Sequence, residues 1–125
     1  MTEIPIVVAD DEALHRRVRP EFVKPDGSVS SQAFTDHNLS VDRAAYCDVA
    51  STLRGFQSTG VVSIVAALAR ELNQEVLAEP SLLNPAHALV KGKKTKSIAR
   101  ALARSALWAV QIDGEGNQLP LAPTP

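Results

Sequence analysis

The hydrophobic pattern changes period at Gly92, and that switch limits the possible folds more than any other feature of the chain. Just before it, Ala86 to Val90 is a short apolar run holding His87, the pattern of a strand. Just after it, Ile98, Leu102, Ala106 and Val110 recur at helical spacing behind Thr95, with Ala99 and Ala109 beside them. Residues 84–108 therefore read as a strand, a lysine-rich turn and a helix over Thr95–Trp108. Arg100 and Arg104 form an i,i+4 pair on another helix face, a row that Trp108 would continue.

Upstream, the runs are short and punctuated. Gly60–Val65 is dense in β-branched residues, and Leu39–Ala44 alternates Leu39, Val41 and Arg43 with Ser40 and Asp42. Pro25-Asp26-Gly27-Ser28 is a turn, and it predicts a hairpin from near Phe22 to the run Val29–Phe34. Asp48 caps a helix over Val49–Arg54 that Gly55 ends. Ala66–Asn73 reads as a short amphipathic helix, and Gln74–Ala78 as the strand closing a strand–helix–strand unit with 60–65. Ile4–Ala9 is an edge strand or an extended arm, because Pro5 cannot donate to a ladder.

Leu14–Pro20 admits two readings. As a strand it places Leu14, Arg16 and Val18 on one face and His15, Arg17 and Arg19 on the other. An inward arginine would then need a carboxylate or a ligand anion. The commoner fate, and the one expected here, is a partly helical surface segment with solvated arginines.

The expected fold class is α+β: one small domain over 1–118, a mostly antiparallel sheet, and a C-terminal amphipathic helix packed on it through Ile98, Leu102 and Ala106. Residues 119–125, rich in proline, are expected to form a loose tail. At 125 residues there is room for one core only.

Composition narrows the function classes. The formal charge is −1, so no global field draws the chain to nucleic acid, and attraction to anions must be local. One cysteine, Cys47, rules out an internal disulfide. Met1 begins no secretory signal and no apolar run approaches about 18 residues, which points to the cytoplasm and away from a membrane. No Cys/His spacing resembles a metal site, and no cofactor is called for.

The local charge is at 91–104. Between Pro80 and Ile112 no acidic side chain occurs, yet Lys91, Lys93, Lys94, Lys96, Arg100 and Arg104 all fall there. Lysines at a helix start face unpaired N–H groups and the positive end of the macrodipole. A bound phosphate would relieve that conflict, so these six form the candidate anion site. A solvated lysine turn is the alternative. The G-x-x-x-x-G-K-[ST] nucleotide loop is excluded, since His87 stands where its first glycine would be.

His87 is the candidate general base, with Asp42, Arg43, Ser31 and Arg16 as the residues that could surround it and Asp42 or Ser40 as the group that could orient it. The nearby lysines favour its neutral form. A structural histidine bonded to a loop carbonyl is the ordinary alternative.

The stretches Leu14-His15-Arg16-Arg17-Val18, Val29-Ser30-Ser31-Gln32-Ala33-Phe34, Leu39-Ser40-Val41-Asp42-Arg43-Ala44 and Asn84-Pro85-Ala86-His87-Ala88 resemble a family of small, uncharacterised bacterial proteins, over most of 4–110. The resemblance implies a bacterial origin and a compact single domain, and carries over no activity or site residue. Three functions follow from the residues themselves. The first is a module binding a phosphate-bearing ligand or nucleic acid through 91–104. The second is an enzyme acting on a nucleotide or phosphodiester with His87 as base. The third is a protein partner, as in a two-gene bacterial system, whose lysines meet an acidic surface.

Overall fold

The structure, a computed structural model, describes residues 4–120. It is an α+β fold built on one antiparallel sheet of seven strands. These are β1 Ala13–Val18, β2 Asn38–Arg43, β3 Gly60–Val65, β4 Glu75–Ala78, β5 His87–Lys91, β6 Leu107–Ile112 and β7 Gln118–Leu119. Their spatial order is β4-β5-β2-β1-β3-β6-β7. Three short helices intervene: α1 Val49–Thr52, α2 Ala66–Glu71 and α3 Lys96–Ser105.

The basic segment at 14–18 is a strand, and the expectation of a solvated surface segment is overturned there. Leu14, Arg16 and Val18 pair opposite Ile64, Val62 and Gly60, so Arg16 faces the core side of the sheet. Pairing between β1 and β2 stops after Leu14–Arg43 and His15–Asp42. In the gap beyond, the Arg16 guanidinium donates to the carbonyls of Ser40 (3.1 Å) and Ala33 (3.2 Å) and reaches Asp36 at 3.4 Å. Arginine thus supplies donors where the ladder has none, and the carboxylate required by an inward charge is Asp36.

Arg43 is the second inward arginine. It is 1% exposed, and its Nε and Nη2 each lie 2.8 Å from the Glu12 carboxylate. It also donates to the carbonyls of Pro5 and Val7 and lies over the Tyr46 ring at 4.8 Å. Residues 4–9 are accordingly an arm held by arginine side chains, with Arg70 donating to the Val8 carbonyl, and not an edge strand.

Three local expectations need correction. The turn at 25–28 is present, with Asp26 accepting from the Ser28 N–H and hydroxyl, but the hairpin amounts to one bridge, Val23–Val29. Ser30 then accepts from the Gln32 N–H and starts a 3₁₀ turn over Ser31–Phe34 that buries Ala33 and Phe34. A serine that caps its own chain competes with the ladder. Next, α2 does link β3 to β4, but β1, β2 and β5 lie between them, so they form no local unit.

The last correction concerns α3, which ends at Ser105; Ala106 is already extended. Trp108 therefore does not continue the Arg100–Arg104 row. It sits on β6 opposite Val62, and its indole N–H donates to the Gly27 carbonyl at 3.2 Å. Gly60 makes this pairing possible: a Cβ there would lie 2.7 Å from the Val110 oxygen and 2.8 Å from the Trp108 ring. At the other end, Asp113 organises the β6–β7 turn and Leu119 pairs with Gln111, so the sheet includes the first residue of the expected tail. Residues 121–125 of that tail lie outside the described ones.

The main apolar cluster holds Leu14, Val18, Leu39, Val41, Val62, Ile64, Val90 and Phe34, together with Ala99 and Leu102 of α3. Among the described residues no helix is long and apolar enough to cross a membrane.

Candidate functional site

The six cations of 91–104 do not converge. Thr95 caps α3 by accepting from the Ile98 N–H. The turn before it is held by Lys94, whose ammonium donates to three carbonyls: Val90 (2.7 Å), His37 (3.1 Å) and Gly92 (3.1 Å). Burial lowers its pKa to about 8, with Arg16 pushing the same way and Asp36 opposing. Lys94 is thus a loop-closing side chain with its three donors occupied. Gly92 takes a φ of +149°, and a Cβ there would meet Gln74 Oε1 at 2.8 Å; Gln74 in turn donates to the Lys93 carbonyl. Lys91 ends β5, opposite Asn38 and Glu75. Lys93 and Lys96 are exposed.

Arg100 and Arg104 behave differently. They line one groove of about 440 Å³ with Lys24, Ser28, Val29, Ser30, Ser31 and Ala103. Its size falls within the range of small-ligand sites. Among the described residues none of the three cationic side chains makes an ion pair or a hydrogen bond. The 3₁₀ turn places Ser31 here, so Ser31 belongs with the helix arginines and not with His87.

A second site lies on the sheet face opposite the apolar cluster. Register sets His15 of β1 opposite Asp42 of β2, and Asp42 opposite His87 of β5, a His–Asp–His row across three strands. Directly opposed residues in antiparallel strands share a face. With Arg17, Ser40, Val41, Thr52 and Asn84 these three line a recess of about 40 Å³. Asp42 is 5% exposed and accepts from the Thr52 hydroxyl (2.9 Å) and the Asn84 amide (2.8 Å). The Cys47 sulfur lies 3.5 Å from the Thr52 oxygen. His87 Nδ1 lies 3.3 Å from the Glu79 carbonyl oxygen and 3.4 Å from its carboxylate, which fixes the ring and leaves Nε2 free of that contact. Burial lowers the pKa of His15, while Asp42 works against that shift.

Of the residues expected around His87, the structure brings Asp42 and Ser40 into the recess. Arg16 and Arg43 point to the other face and are occupied by Asp36, Glu12 and carbonyls. His15, Arg17, Thr52 and Asn84 were not foreseen. A signal for His15 and Arg17 did exist, in their shared face on a strand at 14–18. The described residues contain no group of three or more His, Cys, Asp or Glu that could hold a metal ion.

Comparison with known proteins adds no relative: no family model matches the chain, nor does any curated protein or solved structure.

Proposed function

We propose that the protein binds a phosphate-bearing ligand, a nucleotide or a nucleic-acid backbone, in the groove of Lys24, Ser28, Ser30, Ser31, Arg100 and Arg104. The observation that carries this is the two helix arginines, free of protein partners among the described residues, facing a lysine and three serines around one groove. Like charges at i,i+4 cost a helix a few tenths of a kcal/mol, and an anion between them reverses the sign. Guanidinium forks and hydroxyls are the donors that suit phosphate oxygens. In this reading α3 carries both arginines and is fixed to the sheet face through Ile98, Leu102 and Ala106. Lys91, Lys93 and Lys96 then serve only as a diffuse positive surround.

Calorimetric titration with ATP, tripolyphosphate and single-stranded oligonucleotides tests the site. Arg100→Glu with Arg104→Glu should abolish binding while the fold stays intact by circular dichroism. Lys93→Glu with Lys96→Glu should weaken it only slightly. The reverse pattern would refute the groove as the site.

The His15–Asp42–His87 row supports a second reading, an enzyme acting on a nucleotide or phosphodiester. Here His87, oriented by Glu79, is the base, and Asp42 is held by Thr52 and Asn84. Turnover of RNA, DNA or a nucleotide that disappears in His87→Ala, with ligand affinity retained, would establish it. Absence of turnover on all three classes would exclude it.

A further inference from the structure

A neighbouring groove combines arginine with aromatic surface. It measures about 370 Å³ and is lined by Arg16, Arg17, Arg19, Phe22, Gly55, Phe56, Gln57 and Thr59. Arg17 lies over the Phe56 ring at 3.8 Å, and Arg19 over the Phe22 ring at 5.1 Å. The chain has only three phenylalanines, and Phe34 alone is fully buried. Phe56 is 47% exposed, so one of the scarce large rings stands at the surface beneath a guanidinium.

This groove adjoins the phosphate groove. Phe22 lines one and Lys24 the other, and two residues of chain span at most about 7 Å. Arg17, Arg19, Lys24, Arg100 and Arg104 therefore flank two grooves joined along a single short segment. Of the nearby carboxylates, Asp26 is folded onto Ser28, Asp36 is paired with Arg16, and Glu21 stands exposed within the 3₁₀ turn Pro20–Phe22. Alternating cations and stacking planes are what a flexible nucleic-acid strand needs: charge for the backbone, flat surfaces for unpaired bases. A free phosphate would use the first groove and leave the second without a role, and a mononucleotide brings one base for the two rings.

We propose that the ligand is a single-stranded nucleic acid, with its backbone along Lys24, Arg100 and Arg104 and unpaired bases stacked on Phe56 and Phe22 beside Arg17 and Arg19. This rests on the phosphate reading of the first groove and adds to it the class of ligand.

The test is fluorescence anisotropy with a labelled single strand of about 12 nucleotides, within the range such platforms cover. It is set against the same sequence as duplex and against tripolyphosphate as competitor. The single strand should bind more tightly than either. With Lys24, Arg100 and Arg104 on phosphates, log affinity should fall against log salt with a slope of about −2.1. Phe56→Ala should weaken binding roughly 5- to 150-fold at an unchanged slope, because stacking releases no counterions. Phe56→Leu, which keeps apolar cover without a ring, should show the same loss, and thermal melting of both free variants checks their fold. Arg100→Gln with Arg104→Gln should instead reduce the slope by about 1.4.

Tripolyphosphate binding as tightly as the strand, and still lost in the arginine variant, would overturn the nucleic-acid proposal and leave the phosphate site standing. A preference for duplex, or folded Phe56 variants at wild-type affinity, would also overturn it. Failure of every probe to bind would remove both.

Discussion

Replacing Arg43 with methionine should destabilise the protein more than any exposed charge change, although Arg43 touches neither groove. Its guanidinium is 1% exposed and bonded to both oxygens of Glu12, itself 10% exposed. Methionine fills similar volume but leaves the carboxylate without its cation, and the carbonyls of Pro5 and Val7 without their donors. Breaking a buried pair from one side costs about 3–5 kcal/mol. At roughly 4 °C per kcal/mol for a domain of this size, the melting temperature should fall by about 12–20 °C. Glu12→Gln in the same chain should recover part of that loss, since no buried charge is then left unpaired.

The pH dependence carries a sign. The Arg43 guanidinium hydrogen-bonded to Glu12, aided by the Ala9 N–H, holds its carboxyl below the ordinary 4.5. The stabilisation is thus present above pH 4.5 and lost as pH falls through the lowered folded-state value. Urea titrations of wild type, Arg43→Met, Glu12→Gln and the double variant, at pH 7 and across the acid range, measure both effects. A cost under about 1 kcal/mol for Arg43→Met, or no recovery in the double variant, would refute the assignment of Arg43 as a buried structural ion.

Leu102 is fully buried, so Leu102→Asp should cost about 3–5 kcal/mol by losing apolar contacts and burying a charge, and a wild-type melting curve would contradict its place in the core. Lys94→Met should cost about 1–3 kcal/mol because three carbonyls lose their donor, whereas Lys93→Ala should change stability by less than about 0.5 kcal/mol; chemical denaturation separates them. Because Lys94 is lowered to about 8 from 10.5, the unfolded chain binds more protons between those values, and Lys94's contribution to stability should rise with pH across that window. Melting temperatures from pH 7.5 to 10 should show that component in wild type and lack it in Lys94→Met.

What the sequence reveals here follows the range of the interactions. β3, β4 and β5 begin and end within a few residues of where β-branched density and turn chemistry put them, and Asp48 caps the helix it precedes. These are local effects. The α3–β6 boundary was not legible, because Ala106, Leu107, Trp108 and Val110 suit either state. What decides it is β3, whose outer edge is paired by β6, and Gly60, which admits that strand. Alternation did set Arg43 beside Leu39 and Val41, and one reading of 14–20 set Arg16 beside Leu14 and Val18. The ion pairs that hold them were hidden, since Asp36 and Glu12 lie 20 and 31 residues away.

The sites show the same division. The Arg100–Arg104 pair and the suspicion of Asp42 beside His87 came from spacing and residue type. Lys24 and the serines join the first only because a 3₁₀ turn replaces the expected hairpin strand. His15 joins the second only because β1 is a strand whose register meets Asp42.

The strand order also sets a schedule for synthesis. β3 is complete at Val65, but the strand that covers its outer edge does not begin until Leu107, about 42 residues later. At roughly 5–20 residues per second a ribosome takes about 2–8 seconds to deliver it. During that interval Gly-Val-Val-Ser-Ile-Val, uncharged and rich in β-branched residues, has at most one neighbour, β1, and an open row of amide and carbonyl groups. The nascent chain is therefore most exposed to mispairing with other chains between those two points, and its yield in cells should depend on how quickly residues 66–112 follow.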